Sequence, residues 1–215
     1  MTSLSLAVGR ATLADKVFSR NVAIDVVLIT AGAAFTTLLT QIAIPMWPVP
    51  ITGQTLAVLL VGTTLGATRG ALSLSLYLVL GVLGLPVFAA GGSGSLLDRP
   101  SGGFIIGYVL AAALVGLLAQ NEWDRRGRRI FIAFLAGTAV IYLVGLPWLY
   151  VSLDRLGPSV WNVALGYDSL LAATIGSGFV PFIIGDVLKA LLAGVLIPLA
   201  WRSVNRLDQE KLEQL

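Results

Sequence analysis

No cysteine and no histidine occur in the 215 residues of this chain, and the two absences remove a good deal of chemistry at once. Without cysteine there are no disulfides, no thiolate metal sites and no thiol nucleophile. Without histidine there is no Ser-His dyad, no imidazole ligand and no side chain that titrates near neutrality in its ordinary state. Charge is scarce too. Charged residues make up 12% of the chain and apolar ones 57%, whereas a soluble domain carries roughly 25% charge. Water is therefore not the main solvent for this sequence.

A hydrocarbon core of roughly 30 Å takes about 20 predominantly apolar residues per helix. Six such segments are predicted, over residues 21–43, 51–68, 70–85, 104–119, 130–151 and 179–201. The first ends at the Pro45, Pro48, Pro50 cluster, where proline lacks the amide donor that a helix needs. The expected fold is an all-α integral membrane protein, a compact bundle of six transmembrane helices over residues 21–201. A segment of residues 1–20 precedes it, and a polar tail of residues 202–215 continues the last helix. Residues 1–20 carry Arg10, Lys16 and Arg20 without a small-residue cleavage pattern after an apolar run, so they do not read as a removable signal peptide.

The net charge of +3 does not point to nucleic acid, because in a membrane protein the placement of basic residues matters more than their sum. Arg10, Lys16, Arg20, Arg69, Arg125, Arg126, Arg128, Arg129, Arg202, Arg206 and Lys211 fall on the side of both termini, and only Arg99 and Arg155 on the other. The positive-inside rule then places both termini in the cytoplasm, across a bacterial cytoplasmic membrane. No internal repeat of the kind that builds inverted-repeat carriers is evident.

The remaining basic residue, Lys189, lies inside the last segment with Asp186 three residues before it, hence on one helix face. Each charge costs on the order of 2.5–3.5 kcal/mol at the middle of a span. Either the two serve only each other and helix packing, or they meet a polar ligand. Counted from Phe179 at 1.5 Å per residue, Asp186 lies roughly 11 Å and Lys189 roughly 15 Å below the outward face. The outward connections, residues 45–54, 86–103 and 157–178, hold most of the Gly and Pro and are either a lid or ordinary loops. Gln54 offers both an amide donor and an acceptor and Thr52 a hydroxyl, as site groups or as a polar helix start. Asp25 is near the cytoplasmic end of the first segment, where Arg20 or Lys16 suffices as a partner. The five tryptophans fall near predicted interfaces, and Ala33 and Thr37 make a small-xxx-small pair for close helix approach.

Five ordered pieces then form a pattern: Pro48-Val49-Pro50-Ile51-Thr52-Gly53-Gln54, Gly84-Leu85-Pro86-Val87-Phe88, Gly91-Gly92-Ser93-Gly94, Pro100-Ser101-Gly102-Gly103-Phe104 and Gly185-Asp186-Val187-Leu188-Lys189. Together they resemble the BioY family, the biotin-specific S components of energy-coupling-factor (ECF) transporters. The resemblance implies a biotin pocket toward the outside, roofed by the first outward loop. It assigns Asp186 and Lys189 as biotin contacts, with Arg99 as the basic residue before the fourth helix. It also implies a transmembrane coupling (T) protein and two ABC ATPase subunits as partners, with biotin as transported substrate and no cofactor. The chain itself has no Gly-x-x-x-x-Gly-Lys motif, so it is not expected to be an enzyme. It departs from the family pattern at Ala89 and Ala90, where some members have asparagine, at Phe104, where many have tyrosine, and at Thr37 in the alanine stripe. The alternatives are a self-sufficient carrier of biotin or another vitamin, an intramembrane enzyme using carboxylates or a Ser-Lys pair, and a purely structural membrane subunit.

Overall fold

The structure, a computed structural model, describes Leu6 and residues 9–213. The remaining residues of the expected terminal segments, 1–5, 7, 8, 214 and 215, lie outside the described residues. The elements in chain order are α1 (Leu13–Val17), α2 (Val22–Thr40), β1 (Ala43–Ile44), β2 (Ile51–Thr52), α3 (Gln54–Leu65), α4 (Ala67–Val82), α5 (Gly102–Gln120), α6 (Gly127–Leu156), α7 (Leu170–Gly178) and α8 (Ile183–Glu213). Among the described residues, four helices are long and apolar enough to cross a membrane, Val22–Thr40, Gly102–Gln120, Gly127–Leu156 and Leu170–Arg206. α3 and α4 are shorter, 12 and 16 residues, or roughly 18 and 24 Å at the helical rise.

The second segment is short as a helix because its first residues do something else. Ala43–Ile44 and Ile51–Thr52 pair antiparallel, Ala43 opposite Thr52 and Ile44 opposite Ile51, so the proline-rich stretch between them folds back as a hairpin rather than a plain loop. α3 starts only after it. The connection of residues 157–178 also holds structure, a π-helical turn at Ser159–Ala164 and α7. The polar tail continues α8 to Glu213.

α5 is the most buried of the four long helices and packs against α3, α4 and α6. α2 lies on α3 and α4, while α8 lies on α6 and α3. The approach of α3 to α5 is close enough that a Cβ on Gly62 would come within 2.5 Å of the Ala112 carbonyl oxygen. A glycine there lets backbone meet backbone, the contact that favours helix association in lipid.

At the end of the bundle that carries α1, Arg69 is buried with Asp15 and Asp25. Its Nε donates to Asp25 at 2.7 Å and its Nη1 to Asp15 at 2.6 Å. Asp25 also accepts from the Leu6 amide at 2.6 Å, and Asp15 from Arg20 at 2.9 Å. The expectation that Arg20 or Lys16 suffices for Asp25 thus misses Arg69, which reads in the sequence as a turn residue and is instead buried in the first turn of α4. Trp201 departs from its interface reading too. It is buried, donates Nε1 to Asp124 at 2.6 Å and carries the Arg125 guanidinium 4.6 Å over its ring. Burial pushes the Asp124 carboxyl up to about 6 against the opposing Trp201 hydrogen bond.

Candidate functional site

The hairpin delivers α3 with its first residues pointing into the bundle. Thr52 Oγ accepts from the Gln54 amide at 3.2 Å, just outside the Gly53 N-cap, and donates to Gln54 Oε1 at 2.9 Å. Thr52 is thus a partner of the buried amide and not the cap residue, since Gly53 holds the N-cap position. Gln54 Nε2 donates to the Tyr77 hydroxyl of α4 at 2.7 Å, and the Tyr108 hydroxyl of α5 lies 3.4 Å from Gln54 Oε1. Gln54 is buried, and both ends of its side-chain amide have partners.

One residue on, Thr55 joins α3 to α8. Lys189 Nζ donates to Thr55 Oγ at 2.7 Å and to Asp186 Oδ1 at 3.3 Å, and Thr55 Oγ is itself 3.3 Å from Asp186 Oδ1. Tyr142 of α6 donates to Asp186 Oδ2. Its ring stacks edge-on with Phe104 and Phe179, with centroids 6.2 and 4.9 Å away. Both oxygens of Asp186 are thus satisfied, as a buried carboxylate requires.

Asp186 is also placed differently from the sequence expectation. Pro181 interrupts the expected last segment in a 3-10 turn at Val180–Phe182, so α8 begins at Ile183 and Asp186 sits in its first turn. An acid there meets the positive end of the helix dipole. The sequence reading places it about two turns inside a helix that begins at Phe179.

Arg99 belongs to the connection before α5. Its guanidinium lies 5.3 Å from the Phe88 ring and donates to the Ser93 carbonyl at 2.7 Å. Its own carbonyl accepts from Trp148 Nε1 at 3.0 Å. A Cβ on Gly92 would come within 2.8 Å of Arg99 Nη2, so the glycine-rich run closes around the guanidinium where a side chain would displace it. Among the described residues no ion pair joins Arg99 to Asp98.

Two spaces connect these groups. An outer cavity of about 450 Å³ is lined by Gln54, Phe88, Asp98, Arg99 and Tyr108 and walled by residues 46–50 of the hairpin. An inner cleft of about 20 Å³, room for about one water, touches Thr52, Thr55, Tyr142 and Lys189. Val49, Pro50 and Tyr108 line both, so a thin partition separates Arg99 and Gln54 from the Asp186–Lys189 pair. All five residues singled out from the sequence fall on these two spaces or on the side chains that border them. Thr55, Tyr77, Tyr108 and Tyr142 were missed, although a tyrosine hydroxyl inside an apolar helix signals a buried polar partner, since it finds none in lipid. The pair reads as a possible internal bridge from sequence, and it is one at 3.3 Å; the cleft beside it is the further fact that geometry adds.

Comparison with known proteins follows the same outline. The biotin transporter BioY of Thermotoga maritima is 36% identical over 79% of this chain and 92% of its own length. BioY2, a biotin transporter of Lactococcus lactis subsp. cremoris, is 33% identical over 78% of this chain and 85% of its own. A crystal structure of the S-component for biotin from an ECF-type ABC transporter superposes with a TM-score of 0.67 at 27% identity, covering 84% of this chain and 92% of that one. The BioY family model matches residues 10–206, from before α1 into α8, and the chain belongs to the BioY family.

Proposed function

We propose that this multi-pass membrane protein binds biotin and takes it up as the S component of an ECF-type ABC transporter. The observation that carries the reading is its likeness, along 84% of the chain, to the solved S-component for biotin. As a transport component it is not an enzyme. ATP hydrolysis would belong to two ABC ATPase subunits joined through a T protein, since this chain has no nucleotide-binding motif.

In this proposal residues 21–201 form the substrate-binding domain and cross a bacterial cytoplasmic membrane six times, with α3 and α4 completing their crossings through the hairpin and the adjoining loop. Both termini then lie in the cytoplasm. Reporter fusions after Arg129 and in the C-terminal tail should read cytoplasmic, and one at Gly94 external; a cytoplasmic signal at Gly94 would overturn the count or the orientation.

Biotin offers two N–H donors and a carbonyl on its ureido ring, an apolar bicycle and a carboxylate at the end of its valerate chain. The outer cavity supplies Arg99 for the carboxylate. Gln54, held by Thr52, and the Asp186–Lys189 pair supply acceptors and donors for the ring. A ligand spanning both spaces must part Val49 and Pro50 from Tyr108. Titration of biotin into the purified chain in detergent tests the reading, and absence of binding would refute it. In the same assay Arg99→Ala should weaken biotin by about 1.5–3 kcal/mol, the range for a hydrogen bond to a charged group, and weaken carboxyl-amidated biotin much less. Equal losses for both ligands would remove Arg99 from the carboxylate.

A further inference from the structure

The connection between α5 and α6 carries more positive charge than the chain balances. Glu122 pairs with Arg10 at 3.1 Å and with Arg125 at 3.7 Å. Asp124 is buried against Trp201. Among the described residues no carboxylate reaches Arg126, Arg128 or Arg129. All three are exposed and, with Trp123 and Ile132, they line a groove of about 460 Å³. Three guanidiniums on one groove repel one another, and the first turn of α6, which holds two of them and no acid, adds its own positive potential. An anion from outside the chain relieves both.

The groove is not open only to solvent. Ile132 is 43% exposed on it, and Leu135, Ala139 and Leu143 continue the exposed side of α6 at spacings of three or four residues. This is a continuous apolar stripe on one helix face, leading away from the arginines along a helix long enough to cross the bilayer. A ligand that fits charge and stripe together has a phosphate at one end and hydrocarbon chains at the other. Trp123 belongs at the same level, where an amphipathic ring meets headgroups. We infer that Trp123, Arg126, Arg128 and Arg129 form a headgroup socket for an anionic phospholipid whose acyl chain lies along Ile132, Leu135 and Leu143. Planar guanidinium forks pair with phosphate oxygens bidentately, which distinguishes a socket from diffuse attraction to the membrane surface.

Native mass spectrometry of the purified full-length chain tests this, with dioleoyl phosphatidylglycerol and dioleoyl phosphatidylcholine offered together. One phosphatidylglycerol should be retained in preference by about tenfold or more, since basic residues near a membrane surface attract anionic lipid. Arg126→Gln, Arg128→Gln and Arg129→Gln combined should abolish the preference, while Arg202→Gln with Arg206→Gln should leave it intact. All three arginines are exposed, so the triple variant replaces no buried residue. Soluble glycerol phosphate at millimolar concentration should not displace the lipid. Equal retention of the two lipids, an unchanged preference in the triple variant, an equal loss in the control pair, or displacement by glycerol phosphate would each overturn the inference.

Discussion

Arg69→Met is expected to cost about 3–5 kcal/mol of folding stability, because it removes one partner of a buried charge cluster and leaves the others. Arg69 is 1% exposed and its two carboxylate partners are 3% and 0% exposed, so water cannot replace the guanidinium. The cluster ties three elements together: α1 through Asp15, α2 through Asp25 and α4 through Arg69 itself. Asp25→Asn added to Arg69→Met should recover part of the loss, since it removes a buried charge along with its partner. Acid should act in the same direction as the substitution. Burial alone would raise the Asp15 carboxyl, but the Thr12 amide, Arg20 and Arg69 outweigh it and hold it below its ordinary value. A depressed carboxyl contributes stability that is complete above its unfolded value, near 4, and is lost as the pH falls through its lower folded value. Wild type should therefore lose more stability between pH 6 and the acid limit than Arg69→Met does, measured by denaturant unfolding in detergent. A variant within 1 kcal/mol of wild type would show that the cluster is exchangeable for packing.

Arg69 also shows where sequence reading runs out. Helix existence was legible, because runs of about twenty apolar residues leave little choice in lipid, and the centres of all six predicted segments are helical in the structure. Pairing was not. Asp25 and Arg69 are 44 residues apart, and nothing local distinguishes a basic turn residue in water from one turned into the bundle. The site divides the same way. Asp186 and Lys189 were visible because two charges in an apolar segment are costly, and Gln54 because it sits among prolines and glycines at a helix start. Thr55 carries no such local cost signal and Tyr142 only the weaker one of a hydroxyl in an apolar helix, and which partner each meets is set by where α3 and α6 meet α8. The hairpin was missed for a related reason. Two residues per strand give no alternation to read, and three prolines suggested only that a helix had ended. The break before α8 was closer to the surface of the sequence, since Pro181 lies only two residues inside the segment predicted to begin at Phe179. Moving the helix start past it takes Asp186 from about two turns inside the helix to its first turn, where the dipole favours an acid.

Replacing Asp186 and Lys189 together separates a structural bridge from a binding pair, and the expected result is a folded protein that has lost biotin. Asp186→Leu with Lys189→Met keeps apolar volume in place of the two charges, an exchange that buried ion pairs often tolerate. The geometry adds one complication, because the half-buried Tyr142 then loses the acceptor for its hydroxyl, and an unsatisfied donor costs up to about 1–3 kcal/mol when fully buried. Adding Tyr142→Phe removes that donor, so the triple variant should unfold at a temperature at or above that of the pair variant. Binding should follow a different course. If the ureido ring of biotin meets the carboxylate and ammonium, losing those charge-assisted hydrogen bonds should weaken it by at least about 2 kcal/mol, roughly thirtyfold in Kd, in both variants alike. Restoring stability with Tyr142→Phe should not restore affinity. Calorimetric titration beside thermal unfolding, in one detergent, reads both quantities. Wild-type affinity in the folded pair variant would reduce Asp186, Lys189 and Thr55 to a clasp between α3 and α8, and would move the whole binding site outward to the cavity of Arg99 and Gln54.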